Sequence, residues 1–274
     1  MATVAAGPIR EDGRRDYLSG TPRAHALDRW IYVVSAGLFI VIVLVGFIPD
    51  SMMKVEMVKA GLRAPFPPIL HAHAVLMGSF LLFLLSQTWW VATGRQVRHE
   101  RWGPVGGLLA AALVVVGFIL APTMYHQVAD GLSVAPPEAH PAIRDLLVRL
   151  DNILLLQLQA GLLFALFIWL GLAARQKAPG FHKRMMLIAP TMALGAAFAR
   201  MTWLPTTMPH SPLSIQAYQL LALAPLLVWD VLRNRRIHRA YLVLAAFYVP
   251  ASLLVDMAWN TPWWHETAHR IMGV

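Results

Sequence analysis

Seven stretches of this chain run for about 20 residues with few charges, and that pattern restricts the fold more than any motif does. A helix of that length rises ~30 Å, the thickness of a bilayer's hydrocarbon core. The stretches fall at 30–48, 69–93, 103–122, 152–174, 184–204, 212–231 and 239–259. Composition agrees, with 58% hydrophobic and 14% charged residues against roughly 25% charged in soluble domains. The expected fold class is all-α: a polytopic membrane protein with seven transmembrane helices, one lead helix followed by three hairpins. The spanning domain covers 29–260, between a polar tail at 1–28 and a short tail at 261–274. Within the loop 122–151, Ile143, Leu146, Leu147 and Leu150 share one helical face, so 141–151 is expected to lie on the membrane surface.

Basic residues set the expected orientation. Sixteen of the 23 lysines and arginines lie in the N-terminal tail and in the connectors after spans two, four and six. Six lie in the opposite loops and the C-terminal tail, and Arg200 falls inside span five. The positive-inside rule then puts the N-terminus in the cytoplasm and the C-terminus outside. The three connectors read RQVRHERWG, RQKAPGFHKRMM and RNRRIHRAYL, each with a histidine (His99, His182, His238) before an apolar run. They form a weak internal repeat. The net charge of +9 sits in these connectors, so it reports topology and no nucleic-acid partner is expected.

Several chemistries drop out early. With no cysteine, thiolate-held iron–sulfur clusters, covalent c-type haem and thiolate zinc sites are excluded. No lysine occupies a span interior for a retinal Schiff base, and no glycine-rich phosphate loop occurs. The first 28 residues do not read as a cleavable signal.

What polar chemistry remains in the spans gathers at the outer ends. Arg200 and Asp256 lie at similar depth and are expected to pair, with Asp151 as a further electrostatic partner, because intramembrane charges cost at least ~2.5 kcal/mol and are usually paired. His71 and His73 open span two. Residues two apart point about 200° from one another on a regular helix, so both reach one metal only if the start is unwound. His265 and His269, four apart, share a face of any C-terminal helix. The run His265-Glu266-Thr267-Ala268-His269 matches HExxH, which in metalloproteases supplies two zinc ligands and a base. Here it lies in a terminal tail with no third ligand marked. His71, His73, His265 and His269 are the candidate ligands of copper, zinc or iron. For haem b, His73 with His126 forms an outer set and His99, His182 and His238 an inner set, with His99 and His182 as the named inner ligands, as in a dihaem membrane cytochrome.

At HAHAVLMGSFLLFLLSQTWWVATGRQVRHERWG the chain resembles a group of bacterial multi-helix inner-membrane proteins. That group has a histidine opening one helix, an HRxLG-like basic connector and a later HKRxM-like segment. Here the connector ends HERWG, with Glu100 where a basic residue is usual, and the later segment is FHKRMMLIAP. The resemblance covers roughly 68–204 and implies a multi-span inner-membrane protein. It brings no activity with it. It directs attention to His71, His73, His99, His182 and Arg200. The leading functional expectation is a metal- or haem-binding redox protein in contact with the lipid bilayer. The second is a non-catalytic subunit bound to other membrane subunits, or a small-molecule transporter.

Overall fold

A computed structural model describes residues 16–19 and 25–274. Residues 1–15 and 20–24, most of the tail expected at 1–28, lie outside the described residues. The described chain is helical, with ten α-helices: α1 (Ala26–Lys59), α2 (Pro68–Ala92), α3 (Gln96–Ala129), α4 (Gly131–Val134), α5 (His140–Ala173), α6 (Pro179–Thr191), α7 (Gly195–Phe198), α8 (Leu213–Asn234), α9 (Arg239–Ala258) and α10 (Pro262–Met272). No strand occurs among the described residues. Six helical stretches are long and apolar enough to cross a membrane: α1, α2, α3 with α4, Pro137–Ala173, α8 and α9. Large apolar side chains such as Val41, Leu82, Leu108, Leu162, Leu221 and Leu254 lie exposed along them. Apolar surface on that scale suits an integral membrane protein, with lipid as its solvent.

Several helices are longer than the apolar pattern indicated. α1, α3 and α5 each have 34 residues, about 51 Å of rise against a core of ~30 Å. α1 passes through Pro49 and α3 through Pro104 and Pro122, so the chain expected as exterior loop beyond 48 and 122 is partly helix. The surface helix expected at 141–151 is the first three turns of α5. Pro141 sits at its N-terminus, where a missing N–H costs nothing, and no proline follows to separate it from the span.

The connectors 93–95, 174–178 and 235–238 meet at one end of the bundle, the connector end. His99 lies beside His182 there, with ring centres 6.3 Å apart, and Phe181 beside His238 at 6.5 Å. The C-terminal residues lie at the far end. Thr261 caps α10 by accepting from the Trp264 N–H, Pro262 opens the helix, and Gly273 ends it at φ 72°. α10 packs Trp264, Ala268 and Met272 against Leu147 and Leu154 of α5.

The stretch expected as span five is not one helix. It is α6, a 3-10 turn over Met192–Leu194, and α7. Pro190 ends the regular hydrogen bonding. The Met192 carbonyl accepts from Gln219 Nε2 at 2.7 Å, and Gln219 Oε1 accepts from the Tyr248 hydroxyl at 2.7 Å. This interrupted segment is the interior of the bundle: Met185, Leu187, Ile188, Ala189 and Thr191 are buried among α1, α5, α8 and α9. Close approach depends on glycine. A Cβ at Gly46 of α1 would lie against the Ala197 carbonyl, 2.9 Å from its carbon.

Gly46 and Gly37, both on α1, therefore respond oppositely to alanine. Gly46→Ala is expected to lower the unfolding midpoint in detergent by the equivalent of ~1–3 kcal/mol. Gly37→Ala, which meets nothing within 4 Å, leaves the midpoint unchanged or slightly raised. Thermal unfolding of the two variants beside the parent checks this.

Candidate functional site at the connector end

Arg184, in the second turn of α6, is fully buried. Its five N–H groups are all used. Nε and Nη2 bind the two oxygens of Asp230 on α8, the second at 2.8 Å. Nη1 and Nη2 bind Asp16 at 2.9 and 3.0 Å, and Nη1 also donates to the Gly180 carbonyl at 2.9 Å. Asn234 Nδ2 donates to Asp230 Oδ1 at 2.6 Å, and Asn234 Oδ1 accepts from the Tyr17 N–H at 3.0 Å. The 3-10 turn Tyr17–Ser19 is thereby drawn onto the bundle, with Asp16 and Leu18 both buried. This part of the polar tail is docked on the bundle.

A second carboxylate closes the same end. Asp28, in the first turn of α1 and fully buried, accepts from Trp229 Nε1 at 2.9 Å and from Arg233 Nε and Nη2 at 2.8 and 3.0 Å. It also accepts the His25 N–H at 2.8 Å, which completes a capping box. These pairs join the first turn of α1 to the last turns of α8.

The histidine pair lies beside the cluster. His182 Nδ1 is 2.8 Å from the Gly171 carbonyl, so the donor tautomer fixes this ring and leaves Nε2 as its free acceptor. His99 Nδ1 is buried without a hydrogen-bond partner. The third connector histidine, His238, is buried and caps α9, its Nδ1 accepting from the Ala240 N–H at 3.0 Å. Lys183 and Arg175 lie in the electrostatic surroundings of His182, and Lys183 in those of His99.

At the far end the expected groupings do not form. Arg200 pairs with Asp50 (Nε to Oδ2, 3.1 Å) and stacks on Phe47 at 4.3 Å, while Asp256 accepts from Ser211 Oγ at 3.1 Å. Depth along the membrane was matched, but the azimuth of the helices turns Arg200 toward α1. α2 is regular from Pro68, so His71 is exposed beside Phe66 and His73 faces Gly117 of α3. Gly117 is nine residues, about 13 Å of helix rise, from His126, which separates the expected outer haem pair. His265 and His269 do share a face of α10, yet both turn to Asp151 of α5: His265 Nδ1 at 2.9 Å and His269 Nε2 at 3.5 Å from Oδ2. Asp151 is fully buried and also accepts from the Tyr125 hydroxyl at 2.7 Å. Glu266 points away to Arg270 at 3.5 Å, in exposed positions, so HExxH does not assemble a protease centre. Among the described residues, no group of three His, Cys, Asp or Glu side chains is arranged to hold a metal ion.

Sequence reasoning missed Asp16, Asp28, Arg184, Asp230 and Arg233. Asp28 and Asp230 carried a signal: each is an acidic residue beside a basic connector at the edge of an apolar run. Asp16 carried none. No known family model, curated protein or solved structure matches the chain.

The two ends differ in energetic weight. Arg184→Met strands two buried carboxylates and is expected to cost roughly 3–5 kcal/mol. Arg200 is 31% exposed, and Arg200→Met is expected to cost under about 1 kcal/mol. Unfolding of both variants in mixed micelles measures the contrast.

Proposed function

We propose that this chain is a multi-pass protein of the bacterial inner membrane that binds haem b through His99 and His182 and serves in electron transfer. One observation carries the reading: two imidazoles from separate hairpins, 83 positions apart in sequence, lie with ring centres 6.3 Å apart. Two metal–nitrogen bonds of about 2 Å put paired axial rings roughly 6 Å apart, centre to centre. The carbonyl bond at His182 Nδ1 supports the assignment, since ligating histidines commonly hold their other nitrogen this way. The cationic surroundings decide between ligands. Lys183 and Arg175 disfavour a bare divalent cation and suit the anionic propionates of a haem.

The membrane topology belongs to the same proposal: seven crossings, N-terminus in the cytoplasm and C-terminus outside. α6 starts at the connector end beside His99, and Arg200 reaches Asp50 near the far end of α1. The interrupted segment thus supplies a crossing in addition to the six continuous ones. The concentration of arginine and lysine on the connector side supports its assignment to the cytoplasm.

A second reading, a non-catalytic subunit of a membrane complex or a small-molecule transporter, rests on the α6–α7 interruption. Broken helices at membrane depth often border transport cavities. Here Gln219, itself held by the Tyr248 hydroxyl, donates to the Met192 carbonyl at the break, which favours a fixed packing device.

An absorption spectrum of gently solubilised protein tests the haem reading. A Soret band is expected, lost in His99→Ala and in His182→Ala and retained in His71→Ala. A colourless, metal-free and folded protein overturns it and leaves the subunit or transporter reading. Topology has its own test, helped by the absence of native cysteine. Leu62→Cys, 75% exposed, is expected to react with an impermeant maleimide on intact cells, and Val97→Cys, 78% exposed, only after permeabilisation. The reverse pattern inverts the orientation.

A further inference from the structure

Three helices begin side by side at the connector end. The His99–His182 contact joins the first turns of α3 and α6, with ring centres 6.3 Å apart. The start of α9 joins them through His238, 6.5 Å from Phe181, and through the Arg239 guanidinium, 5.1 Å from the same ring. A helix start carries about half a positive charge, which an acidic residue in the first turn ordinarily offsets. α1, starting at the same end, has Asp28 for this. α3, α6 and α9 have no acidic residue in their first turns, and α3 and α6 have no side-chain cap. Cations stand there instead: Arg95, Arg98, Arg101, Lys177 and Arg235 are all exposed. Asp16, Asp28 and Asp230 are buried against Arg184 and Arg233, so they do not balance this surface. Among the described residues of the three connectors and helix starts, Glu100 is the one exposed carboxylate.

We propose that the connector end is a binding surface for anionic phospholipid, with the headgroup phosphate among the starts of α3, α6 and α9. Charge complementarity calls for an anion, and the side chains between the cations call for a lipid. Val97, Trp102 and Ile237 are exposed large apolar residues interspersed with the basic ones. Arg98 and Trp102, four apart, share one face of α3. A soluble polyanion would use the cations alone, whereas a phospholipid places its phosphate on them and its acyl chains along the apolar side chains. The inference rests on the membrane placement of the bundle and not on haem.

The full chain, purified in neutral detergent and stripped of lipid, is mixed with phosphatidylglycerol or phosphatidylcholine, and bound lipid is counted by native mass spectrometry. Phosphatidylglycerol is expected to bind about tenfold tighter or more. Arg98→Gln combined with Lys177→Gln is expected to weaken it by roughly tenfold. Arg144→Gln combined with Arg149→Gln, at exposed positions of α5 toward the far end, leaves it unchanged. Equal affinity for the two lipids, or the same loss in both double variants, overturns the proposal. Inorganic phosphate at the concentration of the lipid is expected to displace none of it. Full displacement assigns the surface to a soluble anion and also overturns the proposal. Because lipid is what is counted, a colourless chain that retains phosphatidylglycerol removes the haem reading and leaves this one standing.

Discussion

A single guanidinium, that of Arg184, holds together parts of the chain that apolar packing alone would leave apart. Moving an ion from water into low dielectric carries a penalty of several kcal/mol even after relaxation. The penalty is tolerable here because every N–H of Arg184 finds an oxygen, from Asp16, Asp230 or Gly180. The bonds are directional, so they fix the rotation of α6 relative to α8 and the place of the 3-10 turn Tyr17–Ser19. The Asp28–Arg233 pair repeats the logic one layer outward, between α1 and α8. Together they make the connector end the rigid end of the bundle.

Rigidity there explains how a broken helix can form the interior. α6 and α7 bury most of their surface, and a helix interrupted at Pro190 has fewer internal bonds to hold its shape. Its shape is imposed from outside. Arg184 anchors the start, Gln219 holds the Met192 carbonyl at the break, and Gly46 lets α1 reach the backbone of α7. The partners come from α8 and from α1, so the segment is a keystone whose conformation is a property of the assembled bundle.

That dependence sets what was legible in the sequence. Apolar run length is a local quantity, and it located all six continuous spans. It read 184–204 as one more span, because hydropathy sums over a window and does not register that the helix breaks just after Pro190. Partner choice was less legible still. Arg200 and Asp256 were matched by depth, but pairing also needs azimuth, which is set by how α7 and α8 pack on α1 and α9 on α8. The histidines show both cases. His265 and His269 share a face by simple helical spacing, as read, while their common partner Asp151 sits more than a hundred positions earlier in the chain. His99 and His182 were grouped only as members of one membrane face, and tertiary packing alone brought their rings together.

Histidines find partners at both ends of the bundle, and each end also keeps one imidazole nitrogen buried without a partner, His73 Nδ1 on α2 and His99 Nδ1 on α3. At the far end His265 and His269 are both turned to the buried Asp151, and the group is self-sufficient: Tyr125 of α3 donates to the same carboxylate, and Trp264 of α10 donates to the Asp151 carbonyl. Such a site gains little from a ligand. At the connector end His238 is used as a cap, yet His99 keeps a buried nitrogen unpaired and His182 keeps one nitrogen free. Unpaired polar atoms in a buried setting are unfavourable unless something else completes them. The Tyr32 hydroxyl at the same end is likewise buried without a partner. The carboxylates Asp16, Asp28 and Asp230 are paired at this end while His99 Nδ1 and the Tyr32 hydroxyl are not, so its ion pairs are complete where its neutral polar groups are open.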